Sequence, residues 1–264
     1  MPYWSLPLSA RDAIEREVGA VTSASSLGTG LNSSVAAIIR TQQGRYFIKA
    51  LPADHRWVWT QRREAEIAPY VTEFAPALVS RVVHSGWDVL IFEALGGTPA
   101  SYRPGSTHLG LVGELLTKLG DTPCPAIELR EAPLRLQAYA EDSELHYFTG
   151  QALLHTDLNN ANVIVENDQA RLVDWGWATR GAPWLDAAYW VIWLIAAGDD
   201  PAAAEDLAAT VPSWQQATAD GIDAFAAANA RVWTEIGGTE PDSFTKPLLE
   251  AAKRWAQYRT RQLR

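Results

Sequence analysis

The chain has 264 residues, 47% hydrophobic and 20% charged, with a formal net charge of −9, a size that allows one large domain or two lobes. The acid excess argues against nucleic acid as a main partner, and no apolar run reaches the roughly 18 residues of a membrane-crossing helix. A single cysteine, Cys124, excludes an internal disulfide framework and any cysteine-based zinc cluster. The first residues lack a charged start followed by an apolar core, so no signal peptide is expected. The expected location is the cytoplasm.

Residues 9–20 predict a short helix, and 21–27 a weak strand. Gly28-Thr29-Gly30-Leu31-Asn32-Ser33-Ser34 follows, then a strand over 35–40, a turn at Gln42-Gln43-Gly44 and a strand over 45–50. The glycine-rich loop has three readings. A dinucleotide fingerprint needs a helix next, whereas β-branched residues follow here. A hairpin laying backbone amides over phosphates fits that order better, and a plain glycine turn is the bland reading. No G-x-x-x-x-G-K-[ST] loop occurs. Lys49 is one of only four lysines and alternates with Phe47 on an apolar strand. A buried ammonium needs partners; an edge-strand lysine would not.

Residues 56–74 predict a helix carrying Arg62-Arg63-Glu64-Ala65-Glu66, with Trp57, Ala68 and Val71 at helical steps from Glu64. Two strands, 78–84 and 87–94, flank Ser85-Gly86. Gly96-Gly97-Thr98-Pro99 marks a boundary, giving lobes of 1–95 and 96–264. A helix is predicted over 106–120 and a broken one over 128–149. His108 and His146 read as surface or packing residues.

The most informative stretch is 153–178. Two apolar runs, 162–165 and 170–173, flank the turn Glu166-Asn167-Asp168, a hairpin signal. His155-x-Asp157-x-x-x-x-Asn162 precedes the first run, and Asp174-Trp175-Gly176 ends the second. Phosphoryl transfer uses such a set: one carboxylate to orient a hydroxyl and take its proton, and hard oxygen donors for Mg²⁺. An ordinary hairpin with capping Asp and Asn residues is the alternative.

This stretch resembles the catalytic and metal loops of the protein-kinase superfamily. It is most similar to the aminoglycoside-phosphotransferase-like branch, which has His-Gly-Asp where this chain has His155-Thr156-Asp157 and Ile-Asp-Trp where it has Val173-Asp174-Trp175. The resemblance implies a bilobal, protein-kinase-like α+β fold, with a five-stranded antiparallel sheet and one helix in the first lobe and a mostly helical second lobe. It implies Mg²⁺ and ATP or GTP as phosphate donor. Gly28, Gly30, Ser33 and Ser34 would cover the phosphates. Lys49 would hold them, set by Glu64, which fits the family's Arg-Glu pattern better than Glu66. The base would lie against the Glu93–Leu95 backbone. Asn162 and Asp174 would hold the metal, Asp157 would orient the acceptor hydroxyl, and His155 and Asp186 would brace the loop. For Asp186 an ordinary helix-start charge is the alternative. Thr156 and Ser33 depart from the family pattern.

Only eight residues, 176–183, separate the metal loop from the next helix start, and no A-P-E follows. A polypeptide substrate would lack its docking platform, so a small-molecule hydroxyl is the expected acceptor, in a monomer or dimer. An antibiotic is one candidate; a choline-, homoserine- or sugar-like alcohol is another. A non-catalytic nucleotide-binding module is the competing class. Helices are predicted over 184–197, 201–209, 213–236 and 244–262. Residues 182–245 hold ten acids against one base, Arg231, which reads either as a field for a cationic acceptor or as solvated helix faces partly neutralised by the basic C-terminal helix. Of the twelve tryptophans, most should be core, and one or two near the catalytic segment would line an acceptor site.

Overall fold

A computed structural model of the chain describes residues 1–28 and 33–262. The chain divides into two compact units, residues 1–97 with 171–177 and residues 98–170 with 178–264.

The first unit opens with α1 (Leu8–Val18), which buries Ala10, Ala13, Ile14 and Val18 at helical spacing and ends at Gly19. Five strands follow: β1 (Ser23–Ser26), β2 (Val35–Arg40), β3 (Arg45–Pro52), then, after α2 (Val58–Ile67), β4 (Leu78–His84) and β5 (Trp87–Glu93). They form one antiparallel sheet in the order β1-β2-β3-β5-β4. Strand alternation divides its side chains between two faces. Val35, Ala37, Ile39, Ile48, Ala50, Val89 and Ile91 join Ile14 and Val18 in one core. Lys49, registered between Ala36 and Leu90, points to the other face and is 4% exposed. The β4–β5 turn places Ser85 at φ 51° and Gly86 at φ 77°, the left-handed pair that a tight hairpin requires. The helix expected over 56–74 is shorter. Pro69 lacks the N–H that would continue it, and Ala68–Tyr70 closes as a 3₁₀ turn.

The second unit runs β6 (Thr98–Pro99), α3 (His108–Gly120), β7 (Arg130–Glu131), α4 (Ala132–Leu136), β8 (Ala152–Leu154) and β9 (Val163–Glu166). β10 (Gln169–Leu172) follows, and through it the chain passes into the first unit's 171–177 segment. Asn167 and Asp168, both at positive φ, make the two-residue turn before β10. The expected broken helix over 128–149 resolves into β7, a five-residue α4 and a 3₁₀ segment, Asp142–Phe148, with its own Glu141/Glu144 capping box. β11 (Thr179–Gly181) lies between β7 and β8.

Four helices complete this unit: α5 (Leu185–Ala197), α6 (Pro201–Ala208), α7 (Ala219–Gly237) and α8 (Thr245–Gln262). α5 is apolar nearly all round, as a buried helix must be, with Trp190, Val191 and Leu194 fully covered. The helix expected from 213 begins instead as a 3₁₀ turn, Pro212–Gln216. The chain then extends, and Thr218 restarts the helix by accepting the Gly221 N–H at 3.0 Å. Among the described residues no helix is long and apolar enough to cross a membrane.

Phe225 centres the helical core. Its ring meets Tyr189, Trp184, Trp255 and Phe148 at centroid distances of 4.9, 5.6, 6.0 and 6.1 Å. Phe225→Ala should cost about 3–5 kcal/mol of stability, read as a lowered urea midpoint. A loss below about 1 kcal/mol would mean that the aromatic centre relaxes around the deletion.

Candidate active site

In the first unit, α2 buries Thr60, Gln61, Glu64 and Ile67 along one stripe. Gln61 anchors the helix to β5 by donating to the Asp88 carbonyl at 2.7 Å. That anchor sets Glu64 beneath Lys49. The Lys49 Nζ donates to Glu64 Oε2 at 2.8 Å and to Asp174 Oδ1 at 2.6 Å. Burial by itself would lower the Lys49 ammonium, but Asp174 and Glu64 outweigh it and the net direction is upward. Burial pushes the Glu64 carboxyl up against the pull of Lys49. Glu66, the other candidate, is half-exposed and reaches only Arg63, at 3.9 Å.

The Asp174 loop is pressed onto α2. A Cβ on Gly176 would lie 2.9 Å from the Thr60 Cβ, so only glycine permits the approach. Trp177 packs edge-on against Trp57 and Trp59 at 5.6 and 5.2 Å, and Trp175 packs on Phe74 at 5.7 Å. Trp177 thus holds the Asp174 loop to α2, and Trp175 holds it to Phe74.

Gly28 is exposed, and a Cβ there would meet nothing within 4 Å, so the fold itself does not demand glycine at that position. Gly30 lies outside the described residues. Ser33 is partly buried, and Ser34 donates its N–H to the Ala50 carbonyl at 2.9 Å. Glu93 is exposed at the end of β5, its N–H on the Ala77 carbonyl, and Leu95 follows half-buried.

In the second unit the loop before β9 is tied to the start of α5. Asp186 accepts the His155 and Thr156 N–H groups at 2.7 and 2.8 Å through its two carboxylate oxygens. Burial pushes its carboxyl up, and those two N–H groups oppose the shift. Both Asp186 carboxylate oxygens are thus engaged by the loop backbone. The fully buried His155 accepts the Asp157 N–H at its Nδ1, 3.3 Å away. Asp157 takes the Asn162 Nδ2 at 2.9 Å on Oδ2 and the Asn159 N–H at 3.4 Å on Oδ1.

Thr156 sits at φ 66°, where a β-branched residue is strained by about 1–3 kcal/mol. Arg135 offsets this by donating to the Thr156 and Thr179 hydroxyls at 2.5 and 2.7 Å. Glycine, which the resembled family has here, would adopt that φ without strain.

Beside Asp157 the second unit encloses a cavity of about 190 Å³, lined among others by Tyr139, Tyr189, Ile192, Trp193 and Trp233. Trp193 belongs to the tryptophans expected near an acceptor. Tyr139, Tyr189 and Trp233 carry no sequence signal for this role, because α4, α5 and α7 converge only in three dimensions.

Asp174 in the first unit carries a carboxylate and Asn162 in the second an amide oxygen, each of the hard donor type that Mg²⁺ takes alongside waters and phosphate.

This is the fold of the protein-kinase-like small-molecule phosphotransferases. Choline kinase LicA from Streptococcus pneumoniae superposes with a TM-score of 0.65 at 13% identity, covering 94% of this chain and 99% of that chain. Aminoglycoside phosphotransferase APH(4)-Ia, in a ternary complex with AMP-PNP and hygromycin B, gives 0.64 at 14% identity, covering 97% and 98%. LicA has also been solved in complex with AMP. At these identities the likeness is one of fold. No family model and no curated protein sequence matches the chain.

Asp186→Asn would leave one of the two loop N–H groups without its acceptor. The change should cost about 1–3 kcal/mol and lower kcat more than it changes the nucleotide KM. A variant with unchanged stability and turnover would show that the loop holds itself.

Proposed function

We propose that the protein transfers the γ-phosphoryl group of ATP or GTP to a hydroxyl of a small molecule. The carrying observation is the buried Lys49 paired at 2.8 and 2.6 Å with Glu64 and Asp174. A strand lysine held this way serves as a ligand for nucleotide phosphates. Lys49 binds the α- and β-phosphates, and Glu64 fixes its position. The residues from Gly28 to Ser34 cover the phosphates, and the Glu93–Leu95 backbone takes the base. Asn162 and Asp174 hold Mg²⁺, which when bound supplies charge neutralisation for the triphosphate.

Asp157 receives the proton of the attacking hydroxyl. Asn162 and Asn159 orient its two oxygens, and Asp186 with His155 fixes the backbone that carries it. The His155 Nδ1 already accepts a backbone N–H, so the imidazole acts as a brace rather than a proton carrier. The transition state is loose, and positioning with charge neutralisation supplies most of the rate. The expected acceptors are a hydroxyl-bearing antibiotic or a metabolic alcohol. The structural neighbours, an antibiotic kinase and a choline kinase, divide between these two roles. The enzyme acts in the cytoplasm, as a monomer or dimer.

Asp157→Ala should lower kcat by about three to four orders of magnitude, the upper range for a positioned general base and substrate-orienting group. Nucleotide affinity should be nearly kept. Steady-state transfer of labelled γ-phosphate measures both, and an unchanged turnover in this variant would remove the assignment.

A further inference from the structure

The cavity beside Asp157 differs from what a polycationic acceptor requires. Its walls come from α4, α5 and α7, and most of them are aromatic or aliphatic. Asp157 is the one carboxylate among the residues lining it. The other lining charge is the Arg135 guanidinium, whose Nη1 is engaged by the Thr156 and Thr179 hydroxyls. Burial, with Glu235 close by on α7, pushes the Tyr139 hydroxyl up. A wider groove next to the cavity shares Tyr139 and is lined by two cations, Arg231 and Lys253, and one carboxylate, Glu235.

Five of the ten acids of residues 182–245 have partners within the fold. Asp186 braces the catalytic loop. Asp200 caps α6, accepting the Ala203 N–H at 3.0 Å. Glu205 and Asp223 hold Arg259 at 3.1 and 2.5 Å. Asp242 accepts the Thr245 N–H at 2.7 Å, at the start of α8. These side chains serve the fold, and none of them lines the cavity.

The rim is also apolar. Ile236 on α7 is 58% exposed and Phe244 is 54% exposed, the latter 6.0 Å from the Trp193 ring. Large apolar side chains grouped at a cavity mouth mark a binding surface. Size sets a further limit. An apolar cavity of about 150 Å³ holds benzene, so 190 Å³ takes one substituted ring.

We propose that the acceptor is an uncharged alcohol or phenol built on a single aromatic or alicyclic ring, seated against Tyr189, Ile192, Trp193 and Trp233 with its hydroxyl on Asp157. This rests on the phosphotransferase reading. In the step, the acceptor oxygen forms a bond to the γ-phosphorus, and the bond from that phosphorus to the β–γ bridging oxygen breaks. The hydroxyl proton passes to Asp157, and the nucleoside diphosphate leaves.

The test is transfer of γ-labelled phosphate from ATP with Mg²⁺ to a panel of phenols, benzyl alcohols and cyclohexanols, beside choline and hygromycin B. Hydrolysis of ATP by wild type and Asp157→Ala is followed in parallel. A ring alcohol should be labelled with a kcat/KM above that of choline and hygromycin B by about tenfold or more. Ile236→Glu, a change at the exposed rim, should lower that kcat/KM by about tenfold and leave the KM for ATP unchanged. Better labelling of choline or hygromycin B would overturn the acceptor class and keep the kinase reading. The same holds if no acceptor is labelled while Asp157-dependent hydrolysis continues. Absence of any labelled acceptor together with absence of Asp157-dependent hydrolysis would overturn both.

Discussion

A buried ammonium is the constraint on which the first unit depends. Lys49 sits in the middle strand of a five-stranded sheet, on a strand covered on both faces. A charge there is tolerable only if it is paired and hydrogen-bonded. One partner, Glu64, comes from α2, and the other, Asp174, arrives from a segment 125 residues away in sequence. Much of the surrounding packing keeps those two carboxylates in place. Gln61 ties α2 to β5, Gly176 lets the metal loop approach Thr60, and three tryptophans close over the join. The result is a lysine held charged and immobile, which is the state in which it can bind phosphate without reorganising.

The second unit solves a different problem, the exact placement of one exposed-facing carboxylate on a loop. Two backbone N–H groups of that loop end on the buried Asp186, whose own ionisation is opposed by its burial. Thr156 adds left-handed strain, which Arg135 meets with hydrogen bonds. Strain kept by such over-determined contacts is characteristic of functional loops. The same Arg135 lines the cavity where an acceptor would sit, so loop geometry and acceptor chemistry are linked through one side chain.

What could be read from the sequence was whatever local chemistry dictates. The hairpins show through Ser85-Gly86 and Asn167-Asp168, whose positive φ values only a few residue types accept. The five-residue step from Asp157 to Asn162 survives as a direct hydrogen bond. Glu64 is preferred over Glu66 on the Arg-Glu pattern of the resembled family, and it lies on the buried stripe of α2. Other features depended on tertiary partners. Residues 128–149 look helical by composition, yet short strand pairing with β11 and a capping box divide them. The acid excess of 182–245 reads as a field for cations or as helix faces partly neutralised by the basic C-terminal helix, and Arg259 of α8 pairs with two of those acids. Trp177 lay beside the metal loop in sequence and so resembled a site residue; in the fold it locks that loop to α2.

The central claim is that Lys49, set by Glu64 and Asp174, binds the phosphates of a nucleotide together with Mg²⁺. The most direct measurement is calorimetric titration of the protein with ATP, with and without Mg²⁺, repeated on Lys49→Met, which keeps the length of the side chain and removes its charge. Mg²⁺-dependent binding weakened by about tenfold or more in the variant, the loss of one charge-assisted contact, is the expected result. Equal affinity in both proteins, or binding indifferent to Mg²⁺, would contradict it.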